Sequence, residues 1–147
     1  MNGNTIYLAY GSNLNLRQMA QRCPYAVPLG VATLSDYRIL FRGGDHSAVA
    51  TVEPFPGGTV PVLLWEITPR DEEALDRYEG WPHLYRKETV TVELDGKLME
   101  TMVYIMNRGQ LGQPSSYYLN AIMEGYASAG FDTAVLDEAL AVSKASL

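Results

Sequence analysis

Ile6-Tyr-Leu-Ala-Tyr-Gly-Ser-Asn-Leu14 is the stretch from which the chain is read. Ile6 to Tyr10 is a continuous apolar run bounded by Asn4 and Gly11, the pattern of a strand covered on both faces. Gly11-Ser12-Asn13 is a turn. Beyond it, Leu16, Met19, Ala20 and Cys23 fall at i, i+3, i+4 and i+7. That spacing predicts a short helix burying this face, with Asn13 or Asn15 as N-cap and Pro24 as the stop.

Outward from this unit the chain turns strand-like. Val31 to Phe41, Ser47 to Glu53 and Val60 to Ile67 are rich in β-branched and aromatic residues. Gly43-Gly44 and Pro54-Phe-Pro-Gly-Gly58 separate them. Pro61 argues for an edge strand or a late start. Thr68-Pro-Arg-Asp-Glu72 opens a helix with a Thr cap, Pro at the first position and acids in the first turn. Ala74, Leu75 and Tyr78 form its buried stripe, and Gly80 and Pro82 end it. Thr89 to Leu94 alternates, Asp95-Gly96 signals a hairpin, and Leu98 to Met106 returns. Pro114-Ser115 caps a helix whose face is Tyr118, Ala121, Ile122, Gly125 and Tyr126. A last helix carries Val135, Leu136, Ala139 and Leu140. The expectation is a single α+β domain over residues 1–147, a curled sheet or small barrel with helices packed outside.

Composition sets the outer limits. At 47% apolar and 19% charged over 147 residues, the chain can bury a core without staples. One cysteine, Cys23, rules out an intrachain disulfide, and His46 and His83 are too isolated to suggest a metal centre, so no cofactor is expected. A net charge of -6 denies a nucleic-acid backbone the positive surface it needs. No apolar stretch approaches the roughly 20 residues of a membrane span. The polar start, Met1 to Thr5, does not read as a signal peptide. The expected location is the cytoplasm.

Two segments carry residues fit for chemistry. A glycine turn leading from a strand into a helix presents several backbone N–H groups in one direction, reinforced by the helix dipole. At Gly11-Ser12-Asn13 such a cradle would take a carboxylate or phosphate. Equally, Ser12 and Asn13 would merely cap the helix. Ser12 is a poor nucleophile candidate, lacking Gly-x-Ser-x-Gly and a histidine with a route to it. The second candidate is Glu79, at the C-terminal end of the central helix. The negative end of the dipole, with Tyr78 and Trp81 beside it, would disfavour its ionised form and tune it toward general acid–base work near neutral pH. The competing view is an exposed glutamate tolerated there at roughly a few tenths of a kcal/mol. Glu72, Glu73 and Asp76 read as a solvated face, with Glu73 and Arg77 as an i, i+4 pair. Tyr85 and Tyr118 could lend hydroxyls to a pocket or sit satisfied in the core. Cys23, on an apolar face, reads as inert.

Together the two segments become informative. Tyr7-Leu-Ala-Tyr-Gly-Ser-Asn-Leu14, followed about 65 residues on by Leu75-x-x-Tyr-Glu-Gly-x-Pro-x-x-Tyr85, resembles the gamma-glutamylcyclotransferase-like (AIG2-like) family. A weaker echo lies in Pro114-Ser115 to Tyr118. The resemblance implies a small mixed β-barrel flanked by helices. It implies an enzyme in which the α-amine of a gamma-glutamyl amide attacks its own γ-carbonyl, releasing 5-oxoproline and an amine. Tyr7, Leu8, Ala9, Tyr10, Gly11, Ser12 and Asn13 would bind the glutamyl head. Glu79 would be the general acid–base group, and Tyr118 and Tyr85 would line the pocket. The partner implied is a small gamma-glutamyl substrate. A homodimer fits the family, though no surface stripe demands one. The alternative is a module that holds a small carboxylate in the same pocket without turnover.

Overall fold

The computed structural model describes residues 3–145. Met1 and Asn2, part of the polar start, and Ser146 and Leu147 lie outside them. The elements run β1 (Thr5–Ala9), a 3-10 turn (Ser12–Leu14), α1 (Leu16–Arg22), β2 (Val27–Arg42), β3 (Val49–Ile67), α2 (Pro69–Glu79), β4 (Tyr85–Leu94), β5 (Lys97–Met106), α3 (Ser116–Ala129) and α4 (Ala134–Ala145).

One five-stranded sheet, ordered β2-β3-β1-β5-β4, organises them. The apolar run of β1 is explained by its central place. It pairs antiparallel with β3 and parallel with β5, and Tyr7, Leu8 and Ala9 are buried. The sheet curls until its outer strands meet, with a Cβ placed on Gly30 of β2 lying 3.0 Å from Leu94 of β4. The expected α+β curled sheet with outer helices is therefore the observed architecture.

The strands differ from expectation in one respect. Pro54-Phe-Pro-Gly-Gly58 does not separate two strands but is a bulge within the 19 residues of β3. Opposite it, Asp36 adopts a left-handed conformation (φ 64°) and its carboxylate accepts the Gly57 N–H at 2.9 Å. That bond anchors the extra residues and lets pairing resume on both sides. Pro61 sits within central β3, yet β1 pairing stops at Leu63, so its missing N–H faces no β1 partner. Asp95 and Gly96, both at positive φ, close the β4–β5 hairpin as expected.

The helices follow their signals with one correction. Of the two caps expected for α1, Asn15 serves, accepting the Gln18 N–H. The α1 face is narrower than its spacing suggested. Met19 and Cys23 are buried, but Leu16 and Ala20 are exposed, the short helix resting on the 3-10 turn and on α2. In α2 the Thr68 cap forms a full capping box with Asp71. The α3 face packs on the 3-10 turn, and Gly125 makes this possible. A Cβ there would lie 2.7 Å from the Leu14 carbonyl carbon. Among the described residues no helix is long and apolar enough to cross a membrane, and no cluster of His, Cys, Asp or Glu suits a metal.

Candidate active site

Where β1 leaves the sheet, its neighbours are the start of β3, the end of β5 and the start of β4. The C-terminus of α2 and the first turn of α3 close over this end. Together they enclose a cavity of about 250 Å³. Tyr7, Tyr10, Gly11, Ser12, Asn13, Glu79, Tyr85 and Tyr118 all line it. Of the residues picked from sequence, only Leu8 and Ala9 do not; they lie in the core, holding β1 in place. Val49, Ala50, Tyr78, Leu84 and Tyr104 complete the wall.

The turn is no mere helix start. Its first internal bonds are Leu14 N–H to Gly11 O and Asn15 N–H to Ser12 O, both 3.0 Å, so the leading N–H groups of Gly11, Ser12 and Asn13 remain outside the helical pattern. Neither Ser12 nor Asn13 caps it. Ser12 Oγ shares a 2.9 Å hydrogen bond with the Tyr78 hydroxyl, and Asn13 Nδ2 donates to the Tyr7 hydroxyl at 2.9 Å. A Cβ on Gly11 would project to 3.5 Å from the Tyr118 hydroxyl, so the bare glycine leaves that space to a ligand.

Glu79 is the last residue of α2, before Gly80 closes the helix in the left-handed conformation. Burial raises its carboxyl from 4.5 to about 7, and the Arg22 guanidinium pulls it the other way. Among the described residues it accepts no hydrogen bond and forms no salt bridge, so its oxygens stay available to the cavity. The desolvation has a different source from the one expected. Trp81 is not a wall of the cavity but lies 43% exposed against Lys87, 4.3 Å from its Nζ. Tyr78 does form the wall, but it too is 43% exposed and is not part of a buried stripe. Nor are Glu72 and Asp76 a solvated face. They pair with Lys87 at 2.7 and 2.9 Å, and Asp76 accepts the Tyr104 hydroxyl at 2.6 Å, bracing that ring from behind. Glu73 stays exposed, and no ion pair joins it to Arg77 among the described residues.

The tyrosines divide by where their protons go. Tyr10 donates to Tyr104 O at 2.7 Å and Tyr85 donates to Ala50 O at 2.6 Å, so these two protons are committed. Tyr118 instead accepts the Ala50 N–H at 3.0 Å, and Tyr7 accepts from Asn13. Both retain a proton to offer. Burial pushes every one of these phenols upward, so they act as neutral donors. Arg22, which reaches this site from α1, and Tyr104 carried no motif; only the folded sheet shows that they belong here.

A profile of the family described as Gamma-glutamyl cyclotransferase, AIG2-like, matches residues 7–125. Gamma-glutamylcyclotransferase of Bos taurus is 31% identical over 129 residues, covering 82% of this chain and 69% of the relative. A crystal structure of an uncharacterized Homo sapiens protein superposes with a TM-score of 0.81 at 28% identity, over 97% of this chain and 88% of the other. A structure of a gamma-glutamyl cyclotransferase gives 0.80 at 27% identity, over 97% and 87%. The cavity's glycine turn and its half-buried glutamate lie inside the matched span, and the chain belongs to the gamma-glutamyl cyclotransferase, AIG2-like family as one of its enzymes.

Proposed function

We propose that this enzyme cyclises a gamma-glutamyl amide, with Glu79 moving the protons. The observation that carries this is a carboxyl raised to about 7, with no hydrogen bond or salt bridge among the described residues, in one cavity with a glycine turn. The glutamyl head enters the cavity with its α-carboxylate or γ-carbonyl oxygen toward the N–H groups of Gly11 and Ser12. The amine portion lies toward the opening of the cavity.

The neutral α-amine of the substrate attacks the γ-carbonyl carbon with its lone pair. As the C–N bond forms, the ionised Glu79 carboxylate takes one of the two protons on that nitrogen, while the carbonyl π electrons move onto oxygen. Neutral phenols and backbone N–H groups stabilise that oxyanion, donors of this kind being worth about 3 to 4 kcal/mol each. Tyr118, whose proton is uncommitted, is the side-chain donor for this task. Collapse breaks the bond to the leaving nitrogen, which takes the proton held by Glu79. The products are 5-oxoproline and a free amine. Since nucleophile and electrophile sit in one molecule, holding them in contact supplies roughly 7 to 11 kcal/mol of the barrier reduction.

A screen of gamma-glutamyl amino acids, peptides and amines, with 5-oxoproline detected by mass, tests the reading and identifies the leaving amine. Release from at least one compound is expected. Tight 5-oxoproline or glutamate binding without turnover of any of them would make the pocket a carboxylate-holding module.

A further inference from the structure

Arg22 ends α1, outside both sequence motifs, yet its guanidinium reaches the site. It lies 3.8 Å from the centroid of the Tyr78 ring and donates to Gln18 Oε1 at 2.7 Å and to Asn13 Oδ1 at 2.6 Å. A guanidinium has donors and no acceptor. The Asn13 amide oxygen must therefore face Arg22, and its nitrogen faces the other way, onto the Tyr7 hydroxyl at 2.9 Å. In that bond Tyr7 is the acceptor, so its own proton is unspent. The Tyr7 ring is held edge-on to Tyr104 at 5.8 Å and lines the cavity beside Glu79. Without Arg22 the Asn13 amide could turn over and present its oxygen to Tyr7. The phenol proton would then be consumed inside the protein.

We propose that Arg22 is a positioning residue: by fixing which side of the Asn13 amide meets Tyr7, it keeps the Tyr7 hydroxyl as a hydrogen-bond donor to an oxygen of the bound ligand. This rests on the cyclotransferase reading only for the ligand's identity, an oxygen of the glutamyl head. The order of donors and acceptors along Arg22, Asn13 and Tyr7 stands on the geometry alone. The Arg22 charge also favours the ionised form of Glu79, so this direct effect must be kept apart from the relay.

A double-mutant cycle does so. Arg22→Met, Tyr7→Phe and the pair are assayed well above the Glu79 midpoint, where that carboxylate is ionised in every variant. Each single change is expected to lower kcat/KM roughly tenfold or more, and Arg22→Met to add less than about twofold once Tyr7 is Phe. Arg22→Lys, which keeps the charge and one donor, is expected to recover most of the loss. The second readout needs no turnover: the Asn13 side-chain amide signals in a 15N-resolved NMR spectrum shift in Arg22→Met and stay near their wild-type positions in Arg22→Lys. Additive losses, or amide signals indifferent to Arg22→Met in a folded protein, would overturn the proposal. A wild type that turns over no gamma-glutamyl compound, with amide signals that respond as described, would sink the cyclotransferase reading and leave the relay standing.

Discussion

The Tyr118 hydroxyl accepts the Ala50 N–H at 3.0 Å, and among the described residues its own proton has no acceptor. Tyr85 meets the same residue in the opposite sense, donating its proton to Ala50 O at 2.6 Å. Two hydroxyls thus satisfy the backbone of β3 where β1 has ended, but only one of them can still serve a ligand. Tyr118→Phe is expected to lower kcat/KM by about 100-fold, as for loss of one oxyanion donor, and to destabilise the fold by about 1 to 3 kcal/mol through the orphaned N–H. Tyr85→Phe is expected to cost similar stability with activity within a few-fold of wild type. Steady-state kinetics beside denaturant unfolding of both variants checks the contrast.

Glu79 ties stability to pH with a definite sign. The folded carboxyl keeps its proton up to about pH 7, whereas its ordinary value is 4.5. Between those values the folded chain binds more protons than the unfolded one, so this group's contribution falls as pH rises through the window. The penalty is complete above pH 7 and absent below 4.5. Glu79→Gln is therefore expected to be more stable than wild type at pH 8, by on the order of 2 to 3 kcal/mol, with the gain vanishing at pH 4. Unfolding curves at the two pH values measure it.

Activity carries the same titration. The proposed mechanism requires the base form of Glu79 in the free enzyme, so kcat/KM is expected to rise with pH to a midpoint near 7. Because the Arg22 charge favours the ionised form, Arg22→Met should move that midpoint upward, toward higher pH. A pH profile of each protein on one substrate decides this.

Gly11 and Gly125 test close approach in opposite ways. A Cβ on Gly11 meets Ala50 Cβ at 3.4 Å and the Tyr118 hydroxyl at 3.5 Å, ordinary contacts that leave the fold intact. Gly11→Ala is thus expected to raise KM by filling ligand space, with little change in melting temperature. A Cβ on Gly125 would come within 2.7 Å of Leu14 backbone. Gly125→Ala should destabilise by about 1 to 3 kcal/mol, and by displacing the turn should weaken activity as well.

Much of this was legible in the chain because the local signals were strong and unopposed. The apolar run of β1, the Thr68 capping box, the Asp95-Gly96 turn and the α3 face each obey one rule, and nothing in the tertiary structure competes with it. The failures share a cause: long-range partners. Pro54 to Gly58 reads as a break until Asp36 is seen to hold its far side. Glu72 and Asp76 read as surface charge until Lys87, from β4, arrives between them. Glu79 does line the cavity with a raised carboxyl, but Trp81 stands exposed outside it and is not among its walls. Arg22 and Tyr104 have no local signature, since their roles exist only once α1 and β5 are brought to the same end of the sheet.

Central to the account is the carboxyl of Glu79 as the group that moves protons. Its most direct test compares wild type with Glu79→Gln on the best gamma-glutamyl substrate, following 5-oxoproline release alongside ligand affinity. The account predicts that the variant folds and binds with near-unchanged affinity while release falls by at least about 100-fold, in line with a lost general acid–base group. Equal release by the two proteins would contradict it.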